Sequence, residues 1–486
     1  MLGIQKNLTN SFYAILSLPA TAMGFALSVQ IAALSWILST KYAPEIHDIG
    51  RVWAAGPIAG ILGQVIIGII SDNVWFWNGR RRPFILIGGV LAALMLLALP
   101  NIDVISSATG VESILGIAII VALTLDLAIN ISFNPTRSII ADVTPEGTER
   151  TKGYTWMQTI SGTFGVLAYF IGASLGNITL IYIGAGLVLV LSIIPPFFID
   201  EPRELQQSHD TQASEAPKAS VWEIIKTIQP LWGFLIYAIY GMTLRLAHIE
   251  KDHYYVELSC LLLTFGLIAK ALMQQDSGKS DAEAGLIGFQ KVLAAHSFTW
   301  IGVQTMFVYM FSYIQDKLPD LSGDDMGRVV AIAFLVLNAV GALLPAFVLE
   351  PITRRYGRVK THMVCIAIMA IGYGGMWFFG TAQIPIYFLM AILGIGWAAT
   401  ISLPFAIMSQ QVDQAKMGLY MGLFNLSVVL PQLVASLGVG EAISKAPDKS
   451  LTFIICTVCL AISAFLWLFV GEGRNTLADA PSSGGH

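Results

Sequence analysis

Charge is the scarce commodity in this chain of 486 residues: only 12% are Asp, Glu, Lys or Arg, about half the share of a soluble domain. Hydrophobic residues make up 55% and the mean hydropathy is +0.70. A soluble globular protein is thereby excluded, and a polytopic membrane protein is expected. The net charge of −4 comes with no concentrated basic face, so no nucleic-acid partner is expected. No phosphate-cradling glycine loop and no metal-ligand cluster stand in the sequence, so nucleotide-driven pumping, cofactors and a metal are not expected. No nucleophile–base pair is visible either, and no enzyme is expected. Cysteine is rare, with four residues, all in apolar stretches. Cys456-x-x-Cys459 has redox spacing, but it stands mid-span among Ile, Val, Leu and Phe without a second ligand pair, and reads as small packing residues. No cleavable signal is seen, since the first apolar run, from about Phe12 to Leu38, is too long for a signal core and reads as the first span.

What is abundant is long apolar runs. Fourteen match bilayer-spanning helices, at roughly 12–40, 52–70, 83–100, 114–141, 154–176, 178–199, 231–247, 255–273, 289–313, 328–349, 362–380, 384–408, 417–439 and 451–470. The seventh is short and the eighth carries Glu257 and Lys270. Lys and Arg set the orientation. Arg80, Arg81, Arg82, Arg150, Lys152, Arg354, Arg355, Arg358, Lys360, Lys416 and Arg474 fall on one side if the spans alternate, which puts both termini in the cytoplasm. A bacterial inner membrane is the expected setting, and a chain with two halves needs no partner subunit, so a monomer is expected.

The chain also repeats itself. The polar stretch 200–215 lies near the middle, and around it Glu201-Pro-Arg203 echoes Glu472-Gly-Arg474. Likewise Asn78-Gly-Arg-Arg-Arg82 echoes Tyr356-Gly-Arg-Val-Lys360, and Ala-Ser-Leu-Gly recurs at 173–176 and 435–438. Six-plus-six repeats are the plan of a rocking transporter with its site near the midplane. The expected organisation is an N-terminal six-helix half at 1–199, a cytoplasmic linker at 200–228, an extra apolar hairpin and connector at 229–288, a C-terminal six-helix half at 289–471 and a tail at 472–486.

Inside the fourth run stand Asp126, Asn130, Asn134 and Arg137. At about 100° per residue these share one helix face, and Asp142 points the other way. Charges within a span are costly, so a function is the default reading, and one polar face means a helix lining a cavity. Asp126, near the midplane, reads as a proton-binding group, because a carboxyl out of water has its neutral form favoured. Arg137 lies eleven residues on, about 16 Å along the axis, too far for a salt bridge with Asp126 along their own helix. It reads as a cavity cation, or as a side chain snorkelling to the inner interface.

At this point the residues resemble a family. Gly68-x-x-x-Asp72 followed by Gly79-Arg80-Arg81-Arg82 is similar to the signature loop of the major facilitator superfamily, here stretched by Trp75, Phe76 and Trp77. More narrowly, the chain resembles the sucrose/disaccharide–proton symporters. Trp53, Gly56, Pro57, Ile58, Gly60, Leu62, Gln64, Gly68, Ser71 and Asp72 fit their second span. Asp126, Ala128, Asn130, Pro135, Arg137, Ala141 and Asp142 fit the fourth, and Gly422, Asn425, Leu426, Pro431 and Gln432 the penultimate one. The resemblance implies an all-α major facilitator fold of twelve spans plus two, and symport of a disaccharide such as maltose or sucrose. It also implies a coupling carboxylate at Asp126. The expected sugar ligands are Asn130, Arg137, Gln64, Gln158, Trp300, Gln304, Asn425 and Gln432, with Trp53, Trp156 and Trp397 as further aromatic platforms; the expected inward gate is Asp72, Arg80, Arg81, Arg82 and Asp142. Sodium coupling and a non-transporting sugar sensor are the rival readings.

Overall fold

Apolar side chains on every face of a long run, as in 83–98 and 177–193, leave helix as the only way to pair the backbone within a bilayer. The computed structural model obeys this. It describes residues 3–42, 45–60, 70, 74–145, 148–202, 221–246, 253–274, 279–412 and 417–472. Among them no strand forms, and one isolated bridge joins Phe76 and Gly79. The principal helices are α1 (Asn10–Ile37), α2 (Ile46–Trp53), α3 (Arg82–Ala98), α4 (Ile114–Val143), α5 (Thr148–Leu175), α6 (Asn177–Ile193), α7 (Trp232–Leu246), α8 (Tyr255–Met273), α9 (Asp281–Lys317), α10 (Gly323–Leu344), α11 (Arg358–Phe379), α12 (Gln383–Ser402), α13 (Met417–Val434) and α14 (Leu451–Trp467). Nine helical stretches among the described residues are long and apolar enough to cross a membrane. Of the expected second span, 52–70, residues 61–69 lie outside those described, and the described part 52–60 is helical apart from one turn residue.

Two compact units form. The first contains 1–209, 307–338 and 443–449; the second contains 210–306, 339–442 and 450–486. In the first unit α1 packs on α5, α6 and α4, while α3 packs on α4 and α6. Phe12, Leu16, Ile85, Ile139, Ile140, Met157 and Ile199 form a buried cluster toward one end. The other end is tied by hydrogen bonds. Ser35 Oγ donates to the Val308 carbonyl (3.0 Å), Trp53 Nε1 to Ser35 Oγ (2.8 Å) and Trp36 Nε1 to the Gly323 carbonyl (2.9 Å).

In the second unit α11 packs against α12 and α14, and α7 packs against α8 and α13. Small polar groups knit α9 to α14: Thr299 Oγ1 and Ser463 Oγ lie 2.7 Å apart, and Ser463 Oγ donates to the Ala295 carbonyl at 2.8 Å. Cys456 and Cys459 are both buried free thiols in α14, and Cys456 Sγ donates to the Gly302 carbonyl at 3.1 Å. They serve packing, as membrane helix interfaces favour small residues. The hairpin α7–α8 is helical, and α8 carries a broad exposed apolar surface at Leu258, Leu261, Leu262 and Phe265.

Candidate functional site: a buried carboxyl, an arginine latch and an aromatic pair

Helix α4 runs unbroken past Pro135. It holds Asp126 near its middle, 7% exposed. The carboxyl is met from α1, where Gln30 Nε2 donates to Asp126 Oδ2 at 3.0 Å. Among the described residues no cation pairs with Asp126. The carboxyl also lies against the backbone of Gly56, where a Cβ would come within 3.3 Å of both carboxyl oxygens. A side chain at 56 would press on the acid and shift it by a few tenths of an ångström, so glycine suits this close approach.

Gln30 escaped the sequence reading. It is 2% exposed and is the one amide in the run 12–40, which is the signal that could have found it. Along α4, Asn130 Nδ2 donates to the Asp126 carbonyl (2.8 Å) and is half-buried. Arg137, one further polar position on that face, is exposed, with its guanidinium carbon 4.4 Å from the Phe133 ring centroid. Tyr154 Oη donates to the Arg137 carbonyl (3.2 Å). Gln158 lies on α5, exposed, in a stripe with Thr155, Thr159, Gly162 and Thr163. Thr159 and Thr163 turn their hydroxyls onto carbonyls one turn back, 2.9 and 2.8 Å. A polar exposed stripe on a helix of a membrane protein suits a wet surface and not lipid. Gln64 and Asp72 lie outside the described residues.

Of the residues expected to form a gate, those described stand in a second constellation around the start of α3. Arg81 is 6% exposed and its Nε donates to Asp142 Oδ2 at 3.0 Å, joining α3 to α4. Glu201, after α6, accepts three backbone N–H groups: Arg80 and Arg81 on Oε2 (2.7 and 2.8 Å) and Arg82 on Oε1 (2.7 Å). These are orphan donors of the helix start, and a carboxylate there also meets the positive end of the helix dipole. Arg82 Nη2 donates to the Ile199 carbonyl. The second unit repeats the device. Glu472, after α14, accepts from Val359 N at 2.9 Å at the start of α11. A Cβ on Gly79 would meet Glu201 Oε1 at 2.7 Å, and one on Gly357 would meet Glu472 Oε1 at 2.2 Å. Neither glutamate was assigned a role from the sequence, although their echo was visible in it.

The second unit holds the remaining expected ligands. Trp300 on α9 is half-buried; its Nε1 donates to His296 Nε2 at 2.9 Å, and its ring meets Trp397 of α12 edge-on at 6.2 Å. His296 is itself stacked on Phe424 of α13, with ring centroids 4.9 Å apart. Gln304 is buried one turn along α9 from Trp300. Asn425 and Gln432, half-buried, stand on α13 beside Phe424. Trp53, by contrast, is buried with its indole N–H spent on Ser35.

The comparisons with known proteins agree with this architecture. A sucrose transport protein of Arabidopsis thaliana is 22% identical over 90% of this chain and 88% of its own length. A sucrose transport protein of Oryza sativa is 26% identical over 86% of this chain and 85% of its own. A general alpha-glucoside permease of Schizosaccharomyces pombe is 29% identical over 32% of this chain and 31% of its own. Among solved structures, the POT family transporter PepTSo superposes with a TM-score of 0.66 at 13% identity, covering 97% of this chain and 99% of its own. The xylose transporter XylE from E. coli superposes with a TM-score of 0.59 at 15% identity, covering 96% and 97%. The family model of the Major Facilitator Superfamily matches residues 16–273 and 255–436. The chain therefore belongs to the major facilitator superfamily.

Proposed function

We propose that this protein is a proton-coupled importer of a disaccharide, an α-glucoside such as sucrose or maltose, working by alternating access. The observation that carries the reading is Asp126: a carboxyl 7% exposed, in mid-helix, answered among the described residues by one neutral amide. A permanent buried carboxylate would need a cation or several donors; a carboxyl that gains and loses a proton needs a partner that suits both forms. The cargo is suggested by the sucrose and alpha-glucoside relatives and by the uncharged polar groups and aromatic faces at Asn130, Gln158, Trp300, Gln304, Asn425 and Gln432. Hydroxyl-rich ligands are held by such groups. Arg137 adds a cation on the face of Asp126.

In the cycle proposed, protonation of Asp126 from outside accompanies sugar binding, and release of both inside resets the chain. One charge per turnover supplies about 2.3 kcal/mol per 100 mV, with the pH gradient added. The proposal includes its setting, a bacterial inner membrane with both termini cytoplasmic, and action as a single chain. At the inner end in that orientation, Arg81 and Asp142 hold α3 to α4, and Glu201 ties the start of α3 to the segment after α6.

The test is uptake of radiolabelled sucrose, maltose and other disaccharides into vesicles, with and without a protonophore and with sodium replaced by choline. Concentrative uptake of at least one α-glucoside, abolished by the protonophore and unaffected by choline, is expected. Sodium dependence, or no saturable uptake of any disaccharide, refutes the reading.

A further inference from the structure

One atom next to the proposed proton site has no partner among the described residues. Gln30 Oε1 is buried and accepts no hydrogen bond among the described residues, while Nε2 of the same amide donates to Asp126 Oδ2 at 3.0 Å. A buried acceptor left unmade costs about 1–3 kcal/mol, so this is a place where something belongs. The two polar ends of a primary amide are fixed side by side: one donates and the other accepts. An ionised carboxylate only accepts, so it can use Nε2 and must face Oε1 with nothing to offer. A neutral carboxyl carries one O–H, and a carboxylic acid beside an amide closes a ring of two hydrogen bonds, N–H to acid oxygen and O–H to amide oxygen. The vacant Oε1 is the acceptor that such an O–H requires.

We propose that Gln30 is the positioning residue that reads the protonation of Asp126. The pair is held by two bonds when Asp126 is neutral and by one when it is ionised, so proton binding on α4 tightens its packing on α1. No covalent step is involved; the proton moves between cavity water and the carboxyl. The inference rests on Asp126 being the proton site.

The surroundings favour this pairing over a competing one. On the elements packed around Asp126, Tyr13 of α1 donates to Glu149 of α5 (2.5 Å), Lys41 pairs with Asp103 (3.1 Å), and Arg51 of α2 pairs with Asp48 (2.8 Å). Arg137 of α4 stacks on Phe133. Each of these charged or ionisable groups is engaged elsewhere. On another side Gly56 approaches both carboxyl oxygens with bare backbone, which offers the acid no side-chain partner. The link spans helices 96 residues apart in sequence, so it is a tertiary one.

The experiment uses the full chain in proteoliposomes and two readouts. The first is pH-difference infrared spectroscopy of the carboxylic acid C=O stretch, assigned to Asp126 by its disappearance in Asp126→Asn. The second is the ratio of proton-driven [14C]sucrose accumulation to sucrose counterflow, which moves no net proton. In Gln30→Met the acid band is expected to shift to higher frequency, as an acid freed from its partner does. The accumulation-to-counterflow ratio is expected to fall about tenfold, the worth of one hydrogen bond. A purely structural role for Gln30 would lower both transport modes together and leave the ratio alone. Should Gln30→Met not fold, Gln30→Glu keeps the shape while removing the N–H donor, and the band must again move. An Asp126 band unmoved in both variants overturns the acid–amide pair while leaving the proton site intact. A wild type with no band sensitive to Asp126→Asn overturns the proton site itself, and the pair with it.

Discussion

Replacing Glu201 with alanine should destabilise the first unit more than replacing its counterpart Glu472 destabilises the second. Its carboxylate accepts three backbone N–H groups at 2.7, 2.8 and 2.7 Å. A single N-cap side chain contributes about 0.5–2 kcal/mol, and hydrogen bonds to charged groups about 1.5–3 kcal/mol each. Glu201 is half-exposed, so water takes back part of the loss, and the three bonds share one side chain. A total of about 2–4 kcal/mol follows for Glu201→Ala. Glu201→Gln can keep two of the bonds on its oxygen and turns an NH2 toward the third N–H, which puts it between wild type and alanine. The counterpart Glu472 accepts a single N–H, from Val359 at 2.9 Å, and is exposed; Glu472→Ala should cost about 1 kcal/mol. The assay is the thermal midpoint of the purified protein in one detergent, with denaturant titration as the check. The order expected is wild type, then Glu472→Ala and Glu201→Gln, then Glu201→Ala. Equal midpoints for the two alanine variants would refute the reasoning, because it rests on three donors against one.

Two further predictions follow from the same geometry. Arg81 and Asp142 form a pair whose side chains are 8% and 11% exposed, so Arg81→Gln or Asp142→Leu alone should cost about 3–5 kcal/mol by breaking a buried ion pair, and the double variant should recover more than half of it; a double-mutant cycle on thermal midpoints checks this. Gly56→Ala puts a methyl 3.3 Å from both Asp126 oxygens, so it should lower proton-driven accumulation about tenfold at unchanged protein yield, measured by uptake in vesicles, whereas Gly60→Ala, whose Cβ meets no atom of the described residues within 4 Å, should behave as wild type.

The helices were legible because each apolar run is long enough to span hydrocarbon and has no alternative way to satisfy its backbone. The end points of α4 and α8 coincide with the expected runs within two residues, while α9 extends eight residues earlier than expected, from Asp281, because its polar first turns still hydrogen-bond as helix outside the apolar stretch. The stripe of Asp126, Asn130 and Arg137 was legible because helical periodicity alone places it. Gln30 was not, because its meaning depends on which residue of α4 comes opposite it, and that register is set by packing across 96 residues. The two glutamates show the same limit in another form. Repetition in the sequence marked Glu201 and Glu472, and it separately marked the loops at 78–82 and 356–360. That each glutamate caps the helix following its loop is a tertiary closure that repetition by itself does not reveal. His296 received no role from the sequence, and the structure shows it holding the indole N–H of Trp300.

The central claim is that Asp126 carries the coupled proton, and the most direct measurement is sugar accumulation against a gradient in Asp126→Asn proteoliposomes. Wild type should concentrate labelled sucrose or maltose under an imposed pH gradient. Asp126→Asn, which keeps the shape and removes the titrating group, should bring the internal sugar only to the external concentration, with counterflow reporting that the variant still binds and moves it. Undiminished proton-driven accumulation by Asp126→Asn would contradict the account.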